Sequence, residues 1–164
     1  MGSLRPAFAV LLCAVAFLCG NARAAPEPQP FGPGSLEAIR LAHQGRAFIL
    51  SLWSVSCEPC RHEMPVWRAL QAKHPGLRVV LVSTDPPTEL DRIKRFLERY
   101  DPGPVQSWHY ADEFEERIRF SIDPKWRGEM PRTYYFDAQH RVEARTGVPD
   151  PQWLERWVAK AGAS

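Results

Sequence analysis

The chain has 164 residues, of which 45% are hydrophobic and 24% charged, and its lysines and arginines exceed its acids by 21 to 19. A composition this apolar excludes a fully disordered chain, and a single long apolar run excludes a polytopic membrane protein. So small a basic excess also excludes a nucleic-acid binder driven by bulk charge.

Residues 1–24 read as a signal peptide. Arg5 supplies a positive start, residues 7–19 are uninterruptedly apolar, and Ala22-Arg23-Ala24 has the small-x-small form of a cleavage site. The apolar run is 13 residues, short of the roughly 20 that cross a bilayer. The same segment has two other readings, an uncleaved anchor and a lipoprotein modified at Cys19; bulky Leu18 opposes the second. Cleavage after Ala24 leaves a charge of 19 − 19 = 0 and two cysteines, Cys57 and Cys60. Residues 25–34 (APEPQPFGPG) carry four prolines and two glycines, the composition of an extended linker. The folded domain is therefore expected over residues 35–164.

Within it, Ser35 caps a short helix over 36–43. The dense apolar run 47–53 (AFILSLW) predicts a strand buried on both faces. A helix follows over 58–73, with Met64, Trp67 and Leu70 at helical spacing and Pro65 expected to kink it. A second buried strand is predicted over 77–83, and a helix over 88–100 with Leu90, Ile93, Phe96 and Leu97 in one stripe. A short strand over 105–110, a helix over 112–120, a strand pair over 132–136 and 141–146, and a last helix over 150–161 complete the order. Parallel βαβ units followed by a hairpin predict an α/β fold, a central mixed β-sheet with helices on both faces.

The sharpest chemical signal is Cys57-Glu58-Pro59-Cys60, which follows a buried strand and opens a helix. Cysteines at i and i+3 on a first helical turn bring their Cα atoms to about 5–6 Å, within disulfide range. The free N–H groups and dipole of a helix N-terminus favour a thiolate there. Pro59 fits the first turn, where its missing N–H is no loss. A structural disulfide closing so short a loop contributes only about 2 kcal/mol of chain entropy. A zinc site needs two more ligands, and the histidines form no close H-x-x-x-H pair. The second signal is Met130-Pro131 ahead of the strand 132–136. A proline opening an inner strand donates no ladder hydrogen bond, and a cis bond there is expected to bring backbone groups against the cysteines for a substrate chain.

SLWSVSCEPC, the helical segment Arg61-His62-Glu63-Met64-Pro65 and Met130-Pro131 before RTYYFD together resemble the thioredoxin superfamily, over roughly residues 35–161. The resemblance is to its TlpA/ResA/CcmG-like branch, exported thiol–disulfide oxidoreductases of bacteria. It implies a thioredoxin-like fold, Cys57 as nucleophile, Cys60 as resolving thiol, Pro131 as a cis-proline and Glu63 as the acid that tunes the thiols. A surface role for Glu63 is the alternative. Substrate contacts are expected from Glu58, Pro59, Trp126 and Met130, whereas Trp53 is assigned to the core. Thioredoxin itself has an aspartate where Ser51 stands and a tryptophan where Ser56 stands, and Met130 replaces the usual small or β-branched residue.

The implied partners are a disulfide-containing client protein, as in cytochrome c maturation or copper-centre assembly, and a membrane thiol relay as electron donor. Neither nucleic acid nor stable membrane insertion after signal cleavage is expected, and no resident cofactor or metal. The implied compartment is the periplasm, with membrane anchoring by an uncleaved N-terminus as the alternative. Glu58 and Glu63 beside the thiols disfavour a thiolate and so predict a reductant, whereas protonated His62 acts the other way. A Cu(I)-binding metallochaperone using both cysteines with Met130 and His62 is the competing function. Ser54-x-x-Cys57 loosely matches a peroxiredoxin, but Leu50 stands where its proline belongs.

Overall fold

The computed structural model describes residues 27–111 and 114–162, so the expected signal peptide over 1–24 lies outside the described residues. In chain order the elements are β1 (Gln29–Phe31), α1 (Ser35–Ala42), β2 (Phe48–Trp53), α2 (Glu58–Lys73), β3 (Arg78–Ser83), a 3-10 turn (Pro87–Glu89), α3 (Leu90–Tyr100), β4 (Gln106–Tyr110), α4 (Glu115–Ile122), β5 (Arg132–Phe136), β6 (Val142–Thr146) and α5 (Pro151–Ala161). The strands form one six-stranded sheet in the order β1-β4-β3-β2-β5-β6. The first four are mutually parallel, and β5 and β6 are antiparallel to their neighbours.

The apolar density of β2 follows from its central place: every residue from Phe48 to Trp53 is buried. Its two-residue period feeds two separate cores. Phe48, Leu50 and Leu52 join Val80, Val82, Tyr134 and Phe136 under Ile39 of α1 and Ile118 of α4. Ile49 and Trp53 join Val79 and Leu81 under Met64 and Trp67 of α2, Ile93 and Phe96 of α3, and Leu154 and Trp157 of α5. Helices therefore cover both faces of the mixed sheet, and Trp53 is core.

Within the linker expected over 25–34, the described residues Gln29–Phe31 form the strand β1 instead. Gln29, Pro30 and Phe31 pair in parallel with Trp108, His109 and Tyr110, and the Ala111 N–H donates to the Phe31 carbonyl at 2.9 Å. Pro30 is tolerated because β1 is an edge strand, where one face of the backbone lacks a ladder partner. Phe31 anchors the strand, fully buried edge-to-face against Trp108 and stacked on Tyr110. The other edge, β6, is exposed along its whole length, and Glu143 and Arg145 put charge there.

Other boundaries shift by one to three residues. The helix expected from Thr88 opens as the 3-10 turn Pro87–Glu89 before α3 takes over at Leu90, following the paired prolines Pro86 and Pro87. The helix expected over 112–120 is α4, Glu115–Ile122; residues 112–113 lie outside the described ones. Pro65 lies inside the continuous span of α2.

If Phe31 fastens β1 to the sheet, Phe31→Ala lowers unfolding free energy by about 3–5 kcal/mol in urea melts, the usual cost of emptying a buried phenylalanine site. A linker residue at this position would change it by less than about 0.5 kcal/mol.

Candidate active site

Three chain segments meet at one end of the sheet. β2 and β3 are parallel and both end there, at Trp53 and Ser83; β5 runs the other way and begins there, with Arg132 opposite Leu52. The loops after β2 and β3 and the loop before β5 therefore converge outside the carboxyl ends of the parallel strands, the usual place for a site in such sheets.

Cys57 is the N-cap residue of α2, and its Sγ accepts a hydrogen bond from the Cys60 N–H at 3.2 Å. The sulfur thus satisfies one of the free amides of the first turn, as a capping oxygen does elsewhere. Cys57 and Cys60 are joined by a disulfide with Cα atoms 5.3 Å apart. Cys60 is sealed in the core whereas Cys57 is half-buried, so Cys57 is the sulfur a partner can reach. Glu58 and Pro59 are exposed between them. The Glu58 carboxylate is paired at 2.6 Å with Arg61 one helical turn on, which offsets much of its field at the thiols. His62 is exposed as well.

Glu63 is fully buried, which removes the surface reading. Its position follows from two periodicities. Cys60, Glu63, Met64, Trp67 and Leu70 form the buried stripe of α2. On the sheet beneath, Ser51 alternates with Ile49 and Trp53 toward α2, and register sets Ser51 opposite Thr133. The two hydroxyls converge on the acid: Ser51 Oγ donates to Glu63 Oε2 at 2.8 Å and Thr133 Oγ1 to Oε1 at 3.1 Å. Burial raises the Glu63 pKa from 4.5 to about 7, although these hydrogen bonds to the carboxylate pull it down. The acid is therefore poised to change protonation near neutrality, one helical turn from Cys60.

Asp85 organises the loop before Cys57. Its Oδ2 accepts from the Val55 N–H at 2.9 Å and from Ser83 Oγ, and the adjoining Thr84 N–H donates to the Trp53 carbonyl at 2.8 Å. Cys57 N–H closes the turn onto the Ser54 carbonyl at 3.1 Å. On the other side, the Met130–Pro131 peptide bond is cis, and Pro131 is buried with its carbonyl accepting from Gly147 N–H at 2.9 Å. Thr84 Oγ1 reaches the Met130 Sδ at 3.4 Å, tying the loop after β3 to the loop before β5. Met130 touches both hydrophobic cores, and Cys57 packs on one of them. Trp126 is buried, its indole N–H donating to the Glu129 carbonyl at 2.8 Å.

Trp126 and Met130 share a cleft of about 250 Å³ with Thr84 and Tyr110, whereas Glu58 and Pro59 lie apart from it, on the first turn of α2. Thr133, Asp85 and Tyr110 did not stand out in the sequence. The signal for Thr133 is a small hydroxyl residue in a strand otherwise of one arginine and three aromatics, facing a second small hydroxyl, Ser51; Asp85 has the Ser-x-Asp spacing that lets Ser83 and Asp85 close on each other. Among the described residues, no three His, Cys, Asp or Glu side chains cluster as metal ligands would.

No protein-family model matches the chain. It is 32% identical over 103 residues to the thiol-disulfide oxidoreductase ResA of Oceanobacillus iheyensis, covering 61% of this chain and 48% of that one. It is 26% identical over 120 residues to ResA of Bacillus cereus, covering 71% and 64%. The chain thus spans about half the length of the first relative and under two thirds of the second. Among solved structures, it superposes with a TM-score of 0.59 on a secreted Mycobacterium tuberculosis disulfide oxidoreductase homologous to E. coli DsbE, at 19% identity over 73% of this chain and 85% of that one. A DsbE-type thiol:disulfide interchange protein from Chlorobium tepidum gives 0.58 at 24% identity over 74% and 83%. The fold is thioredoxin-like. In sequence the chain resembles the TlpA/ResA/CcmG-like branch of that superfamily.

In this thioredoxin-like frame, two changes separate the supporting groups. Removing the Asp85 carboxylate leaves a buried Val55 N–H unpaired, so Asp85→Ala destabilises by about 1–3 kcal/mol in urea melts, and Asp85→Asn, which keeps an acceptor, costs less. Glu63 gives a pH signature. The fold favours its neutral form, so between pH 4.5 and about 7 the folded protein holds a proton the unfolded chain has released. Stability therefore falls as pH rises through that window, by on the order of 3 kcal/mol in total, and is flat on this account below it and above it. Glu63→Gln removes that slope, which melts at a series of pH values measure.

Proposed function

We propose that the protein is a periplasmic thiol–disulfide oxidoreductase that reduces disulfides in client proteins through Cys57 and Cys60. The observation that carries this reading is the reachable Cys57 sulfur at a helix N-terminus, bonded to a Cys60 that is sealed behind it. The ResA relatives, described as thiol-disulfide oxidoreductases, support the reaction class, and the structural relative described as secreted supports export. No helix among the described residues is long and apolar enough to cross a membrane.

In the reduced protein, the Cys57 thiolate attacks one sulfur of a client disulfide. That bond breaks, a mixed disulfide forms through Cys57, and the first client sulfur leaves as a thiolate that takes up a proton. Cys60 then loses its proton, with Glu63 as the near acceptor while it is a carboxylate, and attacks the Cys57 sulfur. The second client sulfur leaves, and the Cys57–Cys60 disulfide seen here is the product. Two electrons have passed to the client. A dithiol donor restores them, in our reading a membrane thiol relay. Pro131 and Met130 line the path of the client chain past Cys57, with Glu58 and Pro59 on its other side. Cytochrome c maturation and copper-centre assembly are the two client systems that suit an exported reductant of this kind.

The direction is reductive in this reading because Glu63, as it ionises near neutrality behind the pair, disfavours a thiolate there, and a poorly stabilised thiolate makes a weakly oxidising disulfide. The potential is expected toward about −270 mV rather than the oxidase value of about −120 mV, as equilibration with a glutathione or dithiothreitol series measures. Cys60→Ala is expected to trap client proteins on Cys57 as mixed disulfides, visible on non-reducing gels. Cys57→Ser abolishes both trapping and turnover. Stoichiometric Cu(I) binding with no disulfide exchange would instead identify a metallochaperone.

A further inference from the structure

The cleft beside Met130 has a composition that the exchange chemistry does not use. Its floor carries Tyr110, which is almost completely buried and whose hydroxyl has no hydrogen-bond partner among the described residues. A buried hydroxyl left unpaired costs about 1–3 kcal/mol, so its presence on the wall of a cleft marks a place where a polar group is expected to arrive. The Glu115 carboxylate and the Arg119 guanidinium, which line the same cleft, both act on this hydroxyl. Burial and the Glu115 charge both hold it protonated.

Glu115 and Glu116 stand at the rim, both exposed, on the first turn of α4. Arg119 also lines the cleft, but it lies 3.9 Å from Glu116 and offsets only one of the two acids. Two carboxylates against one guanidinium leave the rim net negative. The opposite wall is apolar, formed by Trp126 and Met130. A phenolic oxygen and spare carboxylate oxygens accept hydrogen bonds, and the apolar wall suits a methylene stem. That combination fits a long basic side chain, whose stem lies on apolar surface while its head stays polar.

We propose that this cleft takes a lysine or arginine side chain of the client from the stretch beside its cystine, the charged head between Tyr110 and the Glu115–Glu116 rim and the stem along Trp126 and Met130. The inference deepens the oxidoreductase reading and rests on it. Its link to the chemistry is covalent continuity: Met130 precedes Pro131, and Thr84 precedes the Asp85 that holds the Cys57 loop. On this proposal a client chain crossing Cys57 passes the mouth of the cleft near its own cystine.

The test uses the reduced protein and a set of cystine peptides that differ in one flanking residue, Lys, Gln or Glu, together with neutral bis(2-hydroxyethyl) disulfide. Exchange is followed by stopped flow and the peptide rates are compared as a Lys-to-Gln ratio within each protein, so a general change in thiol reactivity cancels. The expected ratio is about fivefold, what one rim charge pair near 1 kcal/mol delivers, with Glu slower than Gln and the ratio shrinking as salt is added. In Glu115→Gln/Glu116→Gln the ratio is expected to approach one, and in Tyr110→Phe to fall partway. Equal rates for the Lys and Gln peptides in the wild-type protein overturn the proposal while leaving the oxidoreductase reading intact. So does a ratio that survives the double substitution. If neither the peptides nor bis(2-hydroxyethyl) disulfide exchange at all, the oxidoreductase reading fails and this one with it.

Discussion

A carboxyl group sealed inside an α/β core must be met by hydrogen-bond donors or it unfolds what surrounds it. Glu63 is met by Ser51 from β2 and Thr133 from β5, and these two hydroxyls face each other only in one antiparallel register. A one-residue slip of β5 against β2 would turn Thr133 toward the opposite face and leave the acid with one of its two donors. The same register sets Arg132 opposite Leu52 and so brings the Met130–Pro131 bond to the end of the sheet where Cys57 begins its helix. One polar contact in the core thus fixes the pairing on which the assembly of the site depends.

Around that contact, separate pieces of backbone are tied rather than merely adjacent. Asp85 holds the Val55 amide, Thr84 holds both the Trp53 carbonyl and the Met130 sulfur, and the Pro131 carbonyl receives the Gly147 amide. The chain of bonds runs from the cysteine loop through the end of β3 to the loop before β5, and on to the turn after β6. Reactive geometry that depends on loops is made firm when the loops bond to one another as well as to the strands that carry them. Here the half-buried sulfur of Cys57 is the free edge of an otherwise closed set of hydrogen bonds.

Much of this could be read in the sequence, and the failures share a cause. AFILSLW and LRVVLVS announce buried central strands because no solvent face interrupts them, and Cys57-Glu58-Pro59-Cys60 announces its chemistry because cysteines at i and i+3 on a helix start have few other uses. What stayed hidden depends on pairing between distant segments. β1 was hidden because Pro28, Pro30 and Pro33 read as linker, and only the partnership of Phe31 with Trp108 and Tyr110 makes an edge strand of it. The Thr133 contact was hidden for the same reason: a threonine in a strand is ordinary until register sets it beside Ser51 and under Glu63. Ser51 departs from thioredoxin in sequence alone, but what its hydroxyl bonds to depends on α2. At this strand position a serine hydroxyl stands and donates to a carboxyl group on the helix above.

That placement sets the electrostatics as well as the geometry. A carboxylate on β2 would sit fixed in the sheet, whereas Glu63 rides on α2 in the same helical stripe as Cys60 and shares its burial. When Glu63 is neutral, it adds little field at the two sulfurs; when it ionises near pH 7, its charge acts through a low-dielectric interior and disfavours a thiolate at Cys60 more than at the half-exposed Cys57. Glu58, by contrast, is neutralised on the surface by Arg61 and screened by solvent. In the proposed mechanism the thiolate at Cys57 is therefore favoured by the Cys60 amide and the helix start, while Glu63 acts chiefly on Cys60. Separate control of the two sulfurs suits the proposed reduction of a client: the first sulfur would attack readily, and the second would keep its proton until the mixed disulfide forms.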